Sequence, residues 1–246
     1  MEQNVCRLTP CALLSIQSWI IYDYFRQRCA QVVTNPPIDS LREVHVMSLI
    51  TYVGREMNIF CEVEIQASRL AIKSPRVLCT EFTHLTLQES DHYRSNKLEI
   101  IFDAAKVSLH NTILNLCIQV EEMVYQGTVI LVLSDRTIAP GWYPGASHDG
   151  SRRYLYSFSR KNLRCDAYVI IETASARYPY HFSVLLGFST TAIYPFLAYE
   201  SLASMVDNKI IYNYYRTVIL NFRHGINNKL YKIMSKMGIV TVSSYQ

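Results

Sequence analysis

The residues of this chain that are arranged for chemistry gather at the ends of two apolar runs. Thr128 to Leu133 reads T-V-I-L-V-L and passes directly into Ser134-Asp135-Arg136. Tyr168-Val169-Ile170-Ile171 closes in the same way on Glu172-Thr173. Unbroken runs rich in β-branched residues mark strands covered on both faces, the habit of parallel sheets. The carboxyl ends of such strands are where α/β proteins place ligands. Ser134, Asp135, Arg136 and Glu172 therefore have the address of a polar-ligand site. The same residue types also simply cap and tie off strand ends, and both readings stand at this level. His181 lies between Tyr180 and Phe182 on a predicted helix. No second histidine or carboxylate follows four residues later to make a metal pair, so it reads as a packed histidine. Asp91-His92 has the polar surroundings of a surface segment.

Other familiar chemistries are missing from the pattern. The seven cysteines stand at 6, 11, 29, 61, 79, 117 and 165. No two are three apart, so no C-x-x-C pair is present for zinc, redox or cluster work. Reduced, buried thiols of an intracellular protein are the plain reading. There is no G-x-G-x-x-G, no G-x-x-x-x-G-K-[ST] and no G-x-S-x-G. Gly141, Gly145 and Gly150 fit a turn-rich loop instead.

The elements that must position these residues alternate between strand and helix. Residues 11–31 look helical and partly buried, and Thr34-Asn35-Pro36-Pro37-Ile38-Asp39 is a stiff, extended connector, since two prolines fix φ and remove two donors. Residues 41–53 resume an apolar pattern up to Gly54, and 55–97 carry no clear period. Leu98 to Asp103 reads as a strand, 104–126 as an amphipathic helix ending before Gly127, and 152–163 as a further helix. Helices are predicted over 180–187, 197–206 and 209–236, with a short strand at Ala192-Ile193. Gly238 stops the last helix, and Ile239 to Val242 starts one more strand with no expected neighbour in the chain. The fold class expected is α/β, a mostly parallel sheet flanked by helices, with right-handed crossovers.

Composition agrees with a folded domain. Half of the 246 residues are hydrophobic and 18% are charged, which excludes a disordered chain. The net charge is +4: the stretch from Asp207 to Gln246 is +5, with Lys209, Arg216, Arg223, Lys229, Lys232 and Lys236 against Asp207, and the rest of the chain is −1. A basic strip can meet nucleic acid or anionic lipid, and it can equally be a solvated helix face. No aromatic stacking pattern favours nucleic acid, so neither nucleic acid nor membrane is expected as a partner. The longest apolar stretch, 184–199, is broken by Gly187, Ser189, Thr190, Thr191 and Pro195, and a spanning helix needs about 20 apolar residues. Residues 1–4 lack the basic start of a signal peptide.

Several segments resemble one family in order. Asp23-Tyr24-Phe25-Arg26-Gln27-Arg28, the run Thr34 to Asp39, Leu41-Arg42-Glu43 and Met47-Ser48-Leu49 resemble the opening of the glutamate synthase central domain. Leu131 to Arg136 resembles its L-I-L-S-D-R segment. Glu172-Thr173, Ala176-Arg177 and His181 resemble its E-S-G-E-A-R-E-V-H-H segment, and Pro195 to Glu200 its N-P-Y-L-A-F-E. Lys232 to Ile239, with Thr241 and Ser244-Tyr245, is similar to the entry into the flavin domain. The chain departs from the pattern at an added Val in Val32-Val33, and at Ala174 and Ser175 in place of Gly and Glu. It departs again at Tyr178-Pro179-Tyr180, at Ser189 in place of Gly, at Thr191 in place of Asp and at Tyr194 in place of Asn.

The resemblance implies a Rossmann-like central domain over 1–208. It implies a connecting helix and the first strand of an FMN-binding barrel over 209–246. The family makes glutamate from glutamine and 2-oxoglutarate with FMN and an iron–sulfur cluster. This chain matches the scaffold and coupling region and lacks the glutaminase nucleophile, the flavin phosphate site and the cluster cysteines. It is expected to be inactive alone, to bind no cofactor by itself and to work with the remaining synthase domains in cis or in trans. Lys236, Met237 and Gly238 are flavin-adjacent by the same resemblance, and the Pro36-Pro37 connector would line the passage between the two reaction sites. A cytoplasmic or plastid location would follow. A diverged, stand-alone α/β binding module is the alternative.

Overall fold

The computed structural model describes residues 20–25, 40–55, 60, 64, 68–87, 90–103, 108–138, 142–144 and 167–245. The connector Thr34 to Asp39, the helix expected over 152–163 and most of that expected over 11–31 lie outside these residues. Within 11–31, Ile21–Phe25 forms a short 3-10 helix.

The two apolar runs do become neighbouring strands. β1 (Thr51–Val53) and β2 (Leu70–Ile72) pair antiparallel. Helix α1 (Ser40–Val46) precedes them and α2 (Cys79–Thr86) follows. The main sheet has four parallel strands in the order β3-β5-β7-β8, formed by Ser95–Glu99, Ile130–Ser134, Tyr168–Glu172 and Ala192–Tyr194. A separate antiparallel pair joins β4 (Ile101–Asp103) to β6 (Trp142–Pro144). The remaining helices are α3 (Leu109–Tyr125), α4 (Pro179–Gly187), α5 (Phe196–Asp207) and α6 (Tyr215–Met237).

Alternation along β5 and β7 divides the core into two layers, because successive side chains point to opposite faces. Leu131, Leu133, Val169 and Ile171 face α3, α4 and α6, through Leu116, Val120, Phe182, Leu185, Ile226 and Leu230. Ile130, Val132, Tyr168 and Ile170 face the other way, against Val53, Ile72, Val77 and Leu85. Every residue of β5 and β7 is buried, as a parallel sheet covered on both faces requires.

Four expectations need correction. The strand read over Leu98 to Asp103 is two strands in two sheets, which part at Ile100, where the N–H donates to Ser134 O at 2.9 Å. β3 starts at Ser95, earlier than the apolar pattern, because its polar residues are satisfied laterally: Ser95 Oγ donates to Thr86 O and Asn96 Nδ2 to Thr128 Oγ1. Residues 55–97, read as irregular, hold β2, α2 and most of β3; α2 starts where Glu81 accepts from the Leu78 N–H at 2.9 Å. The helix expected from 209 begins at Tyr215, because Lys209 is left-handed (φ 55°) and the chain turns there.

The fourth correction concerns the carboxyl end. Residues 239–242 do not form a partnerless strand. The Ser48 N–H donates to Val240 O, the Val242 N–H donates to Ser48 O, and Val242–Tyr245 coils into a 3-10 helix with Val242 buried. Pro179 breaks nothing, since it occupies the first position of α4, where a helix N–H has no partner to lose.

Candidate functional site

Ser134 and Glu172 are partners in the parallel register of β5 and β7, so the ends of the two strands lie side by side. Ser134 Oγ donates to Glu172 Oε2 at 2.8 Å. Lys97 Nζ, from the neighbouring edge strand, reaches the same oxygen at 2.7 Å, and Arg136 Nη1 lies 3.3 Å from Oε1. The other arm of Arg136 contacts Glu200 at 2.6 Å, while its guanidinium lies over the Phe196 ring. Glu172 is only 2% exposed, and the two cations above it are half in water. Burial pushes its carboxyl up, but Lys97, Ser134 and Arg136 together hold it below the usual carboxylate range.

Asp135, one residue further, points into a different set of partners. Its Oδ2 accepts from Thr173 Oγ1 at 2.5 Å and its Oδ1 from the Ala174 N–H at 2.9 Å. The Thr173 hydroxyl lies 2.9 Å from Ser175 Oγ, which lies 2.8 Å from the Tyr22 hydroxyl. Burial raises the Asp135 carboxyl despite the two donors, and the nearby Glu172 charge adds to the rise. The Tyr22 hydroxyl is pushed up to about 12, again mainly by burial. His181 stacks on Tyr22 at 3.9 Å and 8°, with its Nδ1 3.0 Å from Ser175 O.

The fold thus brings together Ser134, Asp135, Arg136 and Glu172, and His181 joins them through Ser175. It does not bring Lys236, Met237 or Gly238 into this cluster. They close α6 at an exposed end, where the left-handed Gly238 donates its N–H to Ser235 O. Sequence reasoning missed Lys97, Tyr22, Thr173 and Ser175. Thr173 directly follows Glu172 and was legible; Lys97 comes from a segment without a clear period, and Tyr22 from one read only as helical and partly buried.

Among the described residues, the cluster is a set of charge-assisted hydrogen bonds and ion pairs. The Ser134 hydroxyl has a carboxylate acceptor, but Ser134 is fully buried. His181 faces a carbonyl and not a hydroxyl nucleophile. Among the described residues no three His, Cys, Asp or Glu side chains lie close enough to hold a metal ion. No described helix is long and apolar enough to cross a membrane.

A family model described as the glutamate synthase central domain matches residues 7–246. The chain belongs to that family. The domain match runs through every segment named above, from the Tyr22 neighbourhood to the carboxyl end. The chain is 34% identical over 249 residues to the NADH glutamate synthase of Saccharomyces cerevisiae, covering 96% of this chain and 12% of that protein. It is 31% identical to the NADPH glutamate synthase large chain of Bacillus subtilis, covering 96% of this chain and 15% of the relative. The ferredoxin-dependent glutamate synthase of Antithamnion sp. is 35% identical over 263 residues, with 16% of its length covered. This glutamate synthase central domain therefore spans a small part of the curated relatives it matches. Among solved structures, a mutant flavocytochrome b2 with benzoylformate aligns at 14% identity over 53% of this chain and 31% of its own, with a TM-score of 0.43.

Proposed function

We propose that this domain is the structural and coupling module of a glutamate synthase and carries out no step of the reaction by itself. The observation that supports it is the match over 96% of this chain to relatives of which it makes up 12–16%. The network at the sheet edge agrees, because the side chains that form it are engaged with one another among the described residues. On this reading the whole enzyme makes glutamate from glutamine and 2-oxoglutarate, with FMN and an iron–sulfur cluster supplying the electrons from other domains. Residues 1–208 form the central domain. Residues 209–246 lead toward the flavin domain while sharing the central core through Ile226, Leu230, Met234 and Val242. On the same reading the connector Thr34 to Asp39, which lies outside the described residues, would line the passage between the reaction sites.

Lys236, Met237 and Gly238 do not fit a flavin phosphate by themselves. They stand at the carboxyl end of a helix, where unsatisfied carbonyls repel an anion, and the Gly238 N–H is already used. They adjoin the flavin domain and do not hold the cofactor.

The test is twofold. The purified chain should show no stoichiometric flavin absorbance and no glutamine-dependent glutamate formation. A chimera in which this chain replaces the matching segment of the bacterial relative should make glutamate. Turnover by the isolated chain, or a folded chimera with no activity, would overturn the reading.

A further inference from the structure

Helix α6 keeps one face unexplained by its own fold. Val218, Ile226, Leu230 and Met234 turn inward, while Gly225, Lys229, Lys232 and Lys236 lie exposed along one flank of that buried face, in line with Val218. Their spacing of four, seven and eleven residues places them on one stripe. Gly225 sits in the middle of a 23-residue helix, where glycine is the least favoured residue after proline. Outside the helix backbone, no described heavy atom lies within 4 Å of the point where a Cβ on Gly225 would stand. Its φ is not in the left-handed region either, since the positive-φ glycines are Gly54, Gly127 and Gly238. The described residues therefore give no reason for a glycine there.

Charge supplies the second observation. Helix α6 contains no aspartate or glutamate. Arg223 pairs with Glu81 on the inner side, but Lys229, Lys232 and Lys236 have no ion-pair partner among the described residues. A long helix with no acidic residue, three exposed lysines along one flank and a missing side chain on the same stripe suits close approach by an acidic backbone segment. We infer that this flank of α6 is a docking surface, centred on Gly225, for an acidic segment of another domain of the same synthase polypeptide. The inference rests on the reading that this chain is one module of that enzyme. The greater part of each relative lies outside the region matched by this chain, and it supplies the occupant.

The experiment compares the isolated chain with the chimera described above. Acetylation of Lys229, Lys232 and Lys236 is followed by mass spectrometry, with Lys73, exposed in the bend after β2, as the internal standard. The three α6 lysines should react at least tenfold more slowly in the chimera than in the isolated chain. Equal rates would overturn the docking surface, whether or not the chimera makes glutamate, so failure of the functional reading is scored separately. Gly225→Ala should raise the melting temperature of the isolated chain by about 2–4 °C, as helix propensity predicts. Gly225→Trp should leave the isolated chain folded and restore fast acetylation in the chimera. Slow acetylation retained by Gly225→Trp would sink the proposal. So would slow acetylation of the wild-type isolated chain induced by nucleic acid or anionic vesicles but not by the chimera's domains, since the occupant would then be of another class.

Discussion

Ser48 and Thr241 pair in parallel, and through this pairing the carboxyl end of the chain returns to the residues that follow α1. Val242 is buried behind the bridge, and the Tyr245 ring packs over Gly187, with its Cε1 3.3 Å from the site of a Cβ there. A segment whose apolar pattern suggests a loose strand is therefore part of the core.

Deleting 239–246 should lower the stability of the chain by about 2–4 kcal/mol, from lost valine burial and two backbone hydrogen bonds. Thermal and urea unfolding of the full and shortened chains would check this. Gly187→Ala should destabilise the full chain, because the new methyl crowds Tyr245, and should be neutral or better in the shortened one.

Ser189 has φ 60°, in the left-handed region, and ends α4 by donating to Leu186 O and passing the Thr190 N–H to Leu185 O. A side chain is strained there and glycine is not. Ser189→Gly should stabilise by about 0.5–1 kcal/mol, measured as a higher urea midpoint at an unchanged slope. Lys209→Gly, at φ 55°, should act in the same direction. Gly238→Ala, at φ 71°, should act in the opposite one.

The two adjacent buried carboxylates should leave opposite marks on the pH dependence of stability. Glu172 is held below its ordinary range, so the unfolded chain binds the proton more readily. Its contribution is present above the ordinary glutamate range and is lost as pH falls through the lowered folded value. Asp135 is raised, so the folded chain holds the proton longer. Stability falls as pH rises from the ordinary aspartate range to the raised folded value. Glu172→Gln should cost about 1–3 kcal/mol at neutral pH and flatten acid unfolding. Asp135→Asn should cost less, since the amide can still accept from the Ala174 N–H and donate to Thr173. Urea unfolding from pH 3 to 8 would separate the two.

Arg76 is fully buried, with Nε and Nη1 unpartnered among the described residues and its guanidinium lying against the rings of Tyr199 and Phe222. Burial pulls its pKa down to about 10. A buried cation so poorly satisfied contributes little net stability. Arg76→Met should be neutral or stabilising by up to about 2 kcal/mol, and a loss of more than this on denaturant titration would show that the ring contacts outweigh desolvation.

The strand cores, both carboxyl-edge motifs and the helix at α3 were legible in the sequence. Apolar runs and 3.6-residue periods report burial directly, and the helix expected over 104–126 stops before Gly127 as read, while its start at Leu109 behind the Ser108 cap came from the structure. Ser134, Asp135, Arg136 and Glu172 were legible as an address, because strand ends in parallel sheets coincide in space. Their pairing was decided by register, which set Ser134 beside Glu172 and sent Asp135 toward Thr173. Lys97, Tyr22 and Ser48 had no local signal, since each matters only through a residue far away in the chain. Composition and periodicity are summed over neighbours in sequence, whereas the closure of this domain depends on hydrogen bonds and contacts between segments that only the tertiary fold brings within reach.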